Sequence, residues 1–451
     1  MSQAPSQARV AELFQRERER FAASHPRSRE LHERARRALL SGVPMNWMTR
    51  WPGSFPVFIS TAEGATLVDV DGHRYADLCL GDTGAMTGHS PAPTVAALAA
   101  RAERGMTTML PSEDAIAVGE ELSRRFGVGN WQFTLSATDA NRFAIRLARQ
   151  VTGRPRILVF NHCYHGTVDE TFATLDEAAV VARPGNVGPP VELAQTTRVV
   201  EFNDLEALER ELAHGDVALV LTEPALTNVG IVLPEPGFHD GLRELTRQSG
   251  TLLALDETHT LCCGPGGYTA TNGLEPDLLT VGKPIAGGVP LGAYGMRPGV
   301  AERVLEQTVW EHADVGGIGG TLAGNPLSLA AARATLGEVL TESAYERMIA
   351  LARRFEEAVA AVIAEHGLPW QVTRLGCRAE YMFAAERPRN GSEADASIDH
   401  DLDALMHLYM LNRGVLMTPF HMMALMSSAT SEADVDAHTA AFAEACVELA
   451  T

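Results

Sequence analysis

The 37 lysine and arginine residues of this chain include only one lysine, Lys283. It lies in the glycine-rich stretch 280–292. A guanidinium group stays protonated at every accessible pH, whereas a primary amine can lose its proton and attack a carbonyl carbon. Lys283 is therefore a candidate nucleophile. The alternative is that one lysine has survived by chance in an arginine-rich chain.

A carboxylate and this lysine each follow a short apolar strand pattern. Asp256 ends the run Leu252–Asp256, and Lys283 comes after the run Leu278–Val281. Open α/β sheets bind ligands at the edge where such strands end, and an acid there can keep a pyridine nitrogen protonated. The glycines beside Lys283 would let a cofactor approach the backbone closely. An aspartate that only caps a turn is the alternative for Asp256.

The third feature is the junction of a strand and a helix at Ser136, Ala137 and Thr138. Free backbone N–H groups at a helix start, next to small side chains, can bind a phosphate. Plain helix capping is the alternative for this segment taken alone. An amine, an acid and a phosphate site in one chain together indicate pyridoxal phosphate, bound to Lys283 as a Schiff base.

The chain resembles the class III aminotransferases, which belong to the pyridoxal-phosphate enzymes of fold type I. Within that family it is similar to the branch that contains glutamate-1-semialdehyde aminomutase and β-amino-acid aminotransferases. The motifs that carry the resemblance extend over nearly the whole chain, and their order and spacing together are specific. They are Val68–Asp77, Gly88-His89, Tyr164–Gly166, Glu223-Pro224 and Gly320–Pro326.

The resemblance implies roles for residues at the matching positions. Lys283 would form the Schiff base and move a proton between substrate and cofactor, and Asp256 would pair with the pyridinium nitrogen. Thr321 would reach the phosphate of the neighbouring subunit, which implies a homodimer. The other implied cofactor-binding residues are Ser136, Ala137 and Thr138 at the phosphate, Tyr164 and Thr258 on the two ring faces, and also His165, Glu223 and His259. A position of His259 near the phenolic oxygen is a hypothesis, and a packed or solvent-facing histidine is its alternative.

Two departures from the family pattern affect this site. Ala137 stands where the family has glycine, so we expect an ordinary backbone conformation there and a slightly altered phosphate site. Pro284 directly follows the lysine, and a proline restricts the residue before it, so we expect an extended backbone at Lys283. Neither departure removes a catalytic group.

The substrate side carries fewer signals. Phe420 occupies the place of a late-loop arginine that β-amino-acid aminotransferases of this branch use, so no guanidinium is available there. Arg50 resembles the substrate arginine of the aminomutase and would clamp a carboxylate; a surface arginine beside Trp47 is the alternative. Trp47 and Phe420 indicate an apolar pocket, with ordinary core residues as the alternative.

Apolar strand patterns alternate with helical patterns from residue 112 onward. This alternation predicts an α/β fold with a mostly parallel sheet covered on both faces, and the resemblance implies seven strands in that sheet. We expect a large cofactor-binding domain at 66–328 and a smaller α+β domain formed by 1–65 together with 329–451. Asp71-Gly72 predicts a hairpin turn, and the polar run 384–397 predicts a loop.

Composition argues against several classes of function. A net charge of −20 disfavours binding to nucleic acids and anionic membranes, which needs a basic surface. No apolar run approaches the length of a membrane span, and the polar N-terminus lacks a signal core, so we expect a cytoplasmic protein. The 6 cysteines are scattered without a Cys-x-x-Cys pair, so we expect reduced thiols and no metal site.

We interpret the chain as an aminotransferase that moves an amino group from an amino acid or amine, β-amino acids included, to a 2-oxo acid. The amino group would wait on the cofactor between the two small-molecule substrates, which gives ping-pong kinetics. An aminomutase of the glutamate-1-semialdehyde type, which moves the amino group within one molecule, is the alternative in the same fold. A non-catalytic protein that binds pyridoxal phosphate is the alternative from another class.

Overall fold

A computed structural model describes residues 5–188, 192–307, 317–419 and 421–450 of the chain. The chain forms two compact units. Unit 1 comprises Met1–Pro91, Ser343–Arg387 and Ser397–Thr451. Unit 2 comprises Ala92–Glu342 and Pro388–Ala396. Both ends of the chain therefore belong to unit 1, and an uninterrupted central stretch builds most of unit 2.

Helices occur in both units. In chain order they are α1 (Gln7–Ser24), α2 (Pro26–Ala35), α3 (Ala92–Ala102), α4 (Glu113–Phe126), α5 (Ala137–Thr152), α6 (Leu205–Leu212), α7 (Phe238–Ser249), α8 (Gly267–Thr271), α9 (Pro298–Gln307), α10 (Pro326–Ala334), α11 (Glu342–Glu365), α12 (Gly391–Ala396), α13 (His400–Leu411) and α14 (Glu432–Ala450). Among the residues that the structure describes, no helix is long and apolar enough to cross a lipid bilayer.

The strands form separate sheets in the two units. In chain order they are β1 (Ile59–Glu63), β2 (Thr66–Asp69), β3 (Arg74–Asp77), β4 (Gly129–Thr134), β5 (Arg156–Phe160), β6 (Ala173–Asp176), β7 (Ala179–Ala182), β8 (Thr197–Val200), β9 (Val217–Thr222), β10 (Leu252–Asp256), β11 (Leu278–Val281), β12 (Gly292–Met296), β13 (Gln371–Leu375), β14 (Arg378–Met382), β15 (Val415–Leu416) and β16 (Met423–Leu425).

Unit 2 is built on a seven-stranded sheet with the strand order β4-β12-β11-β10-β9-β5-β8. Strand β12 is antiparallel to both of its neighbours, and the other adjacent pairs are parallel. Every residue of β9, β10 and β11 is buried, as expected for central strands covered on both faces. The predicted α/β class and the mostly parallel seven-stranded sheet are confirmed.

Helix α5 covers this sheet with one apolar face. Its buried residues include Phe143, Leu147 and Val151, which recur at intervals of four residues, the spacing of one helix face. Ser136 caps the start of α5, and Gly153, in the left-handed conformation, caps its end. These boundaries fix where the first turn of α5 meets the edge of the sheet.

Unit 1 contains two smaller sheets, β1-β2-β3-β15 and β13-β14-β16. The predicted hairpin turn at Asp71-Gly72 joins the antiparallel strands β2 and β3. A buried cluster joins residues from both ends of the chain: Phe21, Phe55, Leu67, Tyr75, Leu408 and Leu411. The hairpin and the N-terminal helix α1 are thus anchored in the same apolar core.

The polar run 384–397 was predicted to be a loop, and this prediction is wrong for its second half. Helix α12 occupies Gly391–Ala396. The side chain of Asn390 accepts a hydrogen bond of 2.8 Å from the backbone N–H of Glu393 and so caps the helix start. A side chain that satisfies a free N–H group lets a short polar segment form a helical turn.

Candidate active site

Asp256 is the last residue of β10 and lies at the carboxyl edge of the parallel strands. Only 3% of the residue is exposed. Its Oδ2 accepts hydrogen bonds from Asn141 Nδ2 at 2.8 Å and from His165 Nδ1 at 3.0 Å, and its Oδ1 accepts one from the Thr258 backbone N–H at 3.1 Å. Each carboxylate oxygen can accept two hydrogen bonds, so Oδ1 retains capacity for one further donor.

Electrostatics keep the Asp256 carboxylate ionised. Burial by itself raises its pKa, but the hydrogen bond and charge of His165, with smaller contributions from Thr258 and Asn141, lower it to about 2. Burial likewise opposes the imidazolium form of His165, whereas Cys163 and Asp256 favour it and raise the His165 pKa to about 10. A fixed negative charge therefore stands at the sheet edge, ready to pair with a protonated ring nitrogen.

Asn141 orients this carboxylate from helix α5. Its amide nitrogen donates to the His165 carbonyl at 3.1 Å as well as to Asp256, and its amide oxygen accepts from Thr280 Oγ1 at 2.7 Å. Because every polar atom of the Asn141 side chain has a partner, the amide has one orientation. The network connects α5, the segment after β5, and strands β10 and β11.

The start of α5 provides donors for a phosphate. Ser136 Oγ accepts from the Asp139 backbone N–H at 3.3 Å. The N–H groups of Ala137 and Thr138, in the first turn, have no intrahelical acceptor and are suited to an anion. Ala137 takes a helical conformation as the first residue of α5, in agreement with the expectation of an ordinary backbone there.

Glycines surround this helix start closely. A Cβ atom on Gly166, whose φ is +76°, would lie 2.0 Å from Thr138 Oγ1. A Cβ atom on Gly282 would lie 3.0 Å from the Cβ of Ala137. The methyl group of Ala137 thus takes up space beside Gly282, in the glycine-rich segment that carries Lys283. Unit 2 therefore contains a helix start suited to a phosphate, the Asp256 carboxylate suited to a ring nitrogen, and the Lys283 amine suited to an aldehyde. These three groups fit pyridoxal phosphate.

Lys283 directly follows Gly282 at the end of β11 and is partly buried. Its Nζ lies 2.7 Å from Nε2 of His259, which follows β10 and is buried. The expectation of an extended backbone at Lys283 is wrong, because its φ is +50°. The chain leaves β11 and immediately begins a single 3₁₀ turn at 283–286, and this left-handed conformation is the kind of local strain that functional sites retain.

Three further predicted residues lie on the same edge of the sheet. Tyr164 is partly buried, and its ring meets that of Phe172 edge-on at 6.5 Å. Glu223 is buried after β9, and burial raises its pKa; it accepts hydrogen bonds from the Tyr164 backbone N–H at 3.4 Å and from the Thr227 hydroxyl. Thr258, also buried, lies between Asp256 and His259 in the chain.

The remaining predicted residues fall into other places. Thr321 is exposed in a turn on unit 2. Trp47 and Arg50 belong to unit 1, where the short 3₁₀ helix Asn46–Thr49 leaves Trp47 partly buried and Arg50 exposed. Phe420 lies outside the described residues. Unit 2 therefore contains the predicted cofactor residues, whereas Trp47 and Arg50 belong to unit 1.

Asn141 and Thr280 were not selected from the sequence. A signal for Asn141 was available, because a polar residue on the buried face of an amphipathic helix needs a partner. Only the folded structure shows that Asn141 belongs to the cofactor site, because its partners Asp256, His165 and Thr280 are 115, 24 and 139 residues away in the chain.

Comparison with known proteins agrees with this geometry. A family model described as aminotransferase class-III matches residues 47–446. A glutamate-1-semialdehyde 2,1-aminomutase from Desulfitobacterium hafniense is 35% identical over 91% of this chain and 95% of its own. The crystal structure of a glutamate-1-semialdehyde-aminomutase from Pseudomonas aeruginosa is 50% identical, with a TM-score of 0.97, and covers 99% of this chain and 100% of that chain. A lysine-to-alanine variant of that protein has been solved in complex with PMP.

A β-phenylalanine aminotransferase from Variovorax paradoxus is 28% identical, with a TM-score of 0.85 over 96% of this chain and 97% of that chain. The fold is thus that of the pyridoxal-phosphate-dependent transferases of fold type I, and pyridoxal phosphate is the cofactor. The chain belongs to the class-III aminotransferase family.

Proposed function

We propose that this protein is an aminomutase of the glutamate-1-semialdehyde 2,1-aminomutase type. The sequence favoured amino transfer between two molecules, and of that interpretation the comparisons support only membership of the class-III family. The relatives at 35% and 50% identity favour the alternative of transfer within one molecule. In that reaction the amino group moves from C2 to C1 and the carbonyl from C1 to C2, so no atom or electron is gained or lost.

The single observation that carries this proposal is the match to the Pseudomonas aeruginosa protein, 50% identical over 99% of this chain. Because both chains are covered almost completely, the likeness includes the segments that bind substrate as well as the cofactor-binding core. A match confined to the cofactor-binding domain would have supported membership of the family but not a particular reaction.

Different residues of unit 2 would have different roles in the reaction. The bound cofactor supplies an aldehyde that condenses with amines and a ring that accepts electron density from the substrate carbon. Asp256 would hold the ring nitrogen protonated, with His165 and Asn141 keeping its carboxylate ionised and oriented. Lys283 Nζ would bind the cofactor and then move a proton at the substrate carbon. Ala137 and Thr138 would donate to the phosphate.

We propose that His259 exchanges a proton with the Lys283 amine and does not only pack beside it. Its Nε2 is 2.7 Å from the amine, within hydrogen-bond distance. An imidazole at that distance can accept a proton from the amine or return one, and it would lie close to the oxygen of the cofactor ring next to the reactive carbon. Thr258 and Tyr164 would then border the ring faces.

The exposed turn at Thr321 is suited to a contact with a second copy of this chain. We propose a homodimer in which Thr321 reaches the phosphate of the neighbouring site, and a cytoplasmic protein. Arg50 and Trp47 would bind a substrate carboxylate and its carbon chain, with Phe420 as a further apolar residue. A Thr321→Ala variant that remains dimeric and binds the cofactor as tightly as the unchanged protein would contradict the Thr321 role.

The test is isomerisation without any second substrate. Purified holoenzyme receives glutamate-1-semialdehyde and no 2-oxo acid, and the product 5-amino-4-oxopentanoate is quantified by mass spectrometry. An aminomutase forms it in stoichiometric yield over many turnovers. Product limited to one equivalent per site, or none, would refute the proposal, and a protein that binds the cofactor without any turnover would be the non-catalytic alternative.

A second candidate is amino transfer between two molecules. The observation that favours it is the likeness to the β-phenylalanine aminotransferase, with a TM-score of 0.85 over 96% of this chain. Under this candidate β-phenylalanine or L-alanine converts the cofactor to its amino form, and turnover continues only when a 2-oxo acid is added. Dependence of the rate on the 2-oxo acid distinguishes the two candidates.

A further inference from the structure

Three potential metal ligands converge in unit 1, where the end of α1 and the start of α2 meet the hairpin of β2 and β3. They are His25, Asp69 and His73, and one ligand atom from each lies within 4.8 Å of the others. His25 and Asp69 are each only 2% exposed, whereas His73 is partly exposed. The scattered cysteines predicted no metal site, and a cluster of this kind gives no signal in the sequence, because 44 residues separate His25 from Asp69.

The ligand atoms lie close enough together for one metal ion to reach all three. His73 Nδ1 lies 2.9 Å from Asp69 Oδ2, and His25 Nε2 lies 3.4 Å from the same oxygen. Zinc bonds of 2.0–2.1 Å in a tetrahedron place neighbouring ligand atoms about 3.3 Å apart. The edge between His25 and Asp69 therefore already has the length that a bound zinc ion requires, whereas the edge between His73 and Asp69 is a hydrogen bond and would lengthen on binding.

The hydrogen bonds of this cluster depend on which nitrogen of His25 carries the proton. His25 Nδ1 lies 2.9 Å from the Phe21 carbonyl oxygen, which can only accept, and Nε2 lies 2.8 Å from Tyr75 Oη. Tyr75 Oη is also 2.8 Å from Asp69 Oδ2, and the phenol has one proton for both contacts. When a neutral His25 carries its proton on Nδ1, the Tyr75 hydroxyl can serve only one of its two contacts, and a cation at Nε2 would serve the other. In the opposite tautomer the Ser24 hydroxyl, 2.9 Å away, can donate to Nδ1.

We propose that His25 Nε2, Asp69 Oδ2 and His73 Nδ1 bind a divalent transition-metal ion, with Zn²⁺ as the ion of choice. Two imidazoles and a carboxylate suit such an ion. The Phe21 carbonyl would accept the Nδ1–H of His25, which fixes the tautomer that presents Nε2 to the metal. The fourth position would take the Tyr75 hydroxyl or a water entering beside the exposed edge of His73.

The site would be structural. Asp69 and His73 flank the hairpin turn, and His25 lies between α1 and α2, so one ion would fasten the N-terminal helices to the hairpin. Asp71 already makes a link of this kind, since its carboxylate accepts hydrogen bonds from the backbone N–H groups of Arg27 at 2.6 Å and Ser28 at 3.0 Å. A metal would add a second link on the buried side of the same junction.

The test uses the full-length holoenzyme with its affinity tag removed and its metals stripped by EDTA dialysis. Titration with Zn²⁺ alone should give one bound ion per chain and raise Tm by a few degrees, because an ion bound only by the folded state stabilises it. His73→Gln should weaken binding by at least about 10-fold and abolish the rise in Tm. The matched control is His89→Gln, which disrupts the His89–Asp77 pair, 2.7 Å apart in the same unit, and should bind Zn²⁺ like the unchanged protein.

A second variant keeps the test decisive if His73→Gln perturbs folding. His73→Cys retains a ligand, so Co²⁺ added to it should produce a sulfur-to-cobalt charge-transfer band that is absent from the unchanged protein and from His89→Cys. Absence of stoichiometric Zn²⁺ binding overturns the proposal. Equal Zn²⁺ affinity of His73→Gln and the unchanged protein overturns it as well.

Discussion

Nε2 of His259 lies 2.7 Å from Nζ of Lys283, the single lysine of the chain. The two residues follow adjacent parallel strands, β10 and β11, so the sheet itself sets their separation. The imidazole can therefore influence the amine before any substrate is bound. This relationship leads to the first prediction.

Replacing His259 should change how the lysine reacts. His259→Leu removes the proton partner of the amine, so we expect the cofactor-free protein to form its bond with pyridoxal phosphate about 10-fold more slowly. His259→Gln retains a hydrogen-bonding group and should recover part of the rate. Stopped-flow absorbance during reconstitution measures it.

The control for that experiment is His239→Gln. His239 is also in unit 2, but it contacts the Pro224 carbonyl oxygen at 2.8 Å. Its substitution should leave the reconstitution rate unchanged. If His259→Leu reacts as fast as the unchanged protein, His259 does not act on the amine.

Lys283 should be irreplaceable by arginine. Lys283→Ala and Lys283→Arg lose the nucleophilic amine and the proton shuttle, so turnover should fall by at least about 100-fold in both. Borohydride reduction of the unchanged holoenzyme should leave a pyridoxyl group on the peptide that contains Lys283, as peptide mass spectrometry will show. The assignment is lost if the adduct appears on the chain's N-terminal amine instead.

The Asp256 carboxylate should determine cofactor affinity. Its pKa, lowered to about 2, keeps it charged at every working pH, so Asp256→Asn removes a full counter-charge from the ring nitrogen. We expect cofactor affinity to fall by at least about 10-fold, equivalent to roughly 1.4 kcal/mol. His165→Gln should cause a smaller loss, and no additional loss in the double variant, because it acts through Asp256.

The matched control is Asp277→Asn. That carboxylate pairs with Arg243 at 2.7 Å in the same unit, away from the proposed ring-binding group. Fluorescence titration of the cofactor-free forms of the unchanged protein and the four variants gives the affinities. Equal affinities for Asp256→Asn and Asp277→Asn would place the pyridine partner elsewhere.

A methyl group at Gly166 should disturb the phosphate site. The added Cβ would lie 2.0 Å from Thr138 Oγ1, so Thr138 and the first turn of α5 must shift. Gly153→Ala is the control, because its φ is +68° but no atom lies within 4 Å of the added Cβ. Both variants carry the backbone strain of about 1 kcal/mol. Only Gly166→Ala should also weaken cofactor binding.

The sequence predicted the parts of the site that depend on local pattern. Strands β10 and β11 have the bounds that the sequence predicted, because buried central strands are continuous apolar runs with polar residues at their ends. Asp256 and Lys283 follow from those ends. Both residues lie at the same edge of the sheet because β10 and β11 are adjacent and parallel.

What the sequence could not predict depends on distant partners. The hydrogen bonds of Asn141 to Asp256 and from Thr280 join residues more than 100 positions apart. The φ of +50° at Lys283 goes against the local preference before proline, because the turn after β11 outweighs it. The His25–Asp69–His73 cluster exists only once α1 and α2 are anchored beside the hairpin.

Glu257 should make the stability of unit 2 depend on pH. It is fully buried, and burial raises its pKa from the ordinary 4.5 to about 7, although Thr260, Thr269 and Tyr268 donate hydrogen bonds to it. The folded state therefore holds this proton more tightly than the unfolded state. The stabilisation is fully present below pH 4.5 and is lost as the pH rises through about 7.

Glu257→Gln removes that titration. Relative to the variant, the unchanged protein should lose about 3 kcal/mol of unfolding free energy between pH 4.5 and pH 8, because burial raises the pKa of Glu257 from 4.5 to about 7. Urea denaturation at a series of pH values measures the difference, and the exposed Glu206→Gln serves as the control that keeps the dependence of the unchanged protein. Parallel stability profiles for Glu257→Gln and the unchanged protein would mean that Glu257 stays ionised throughout this range.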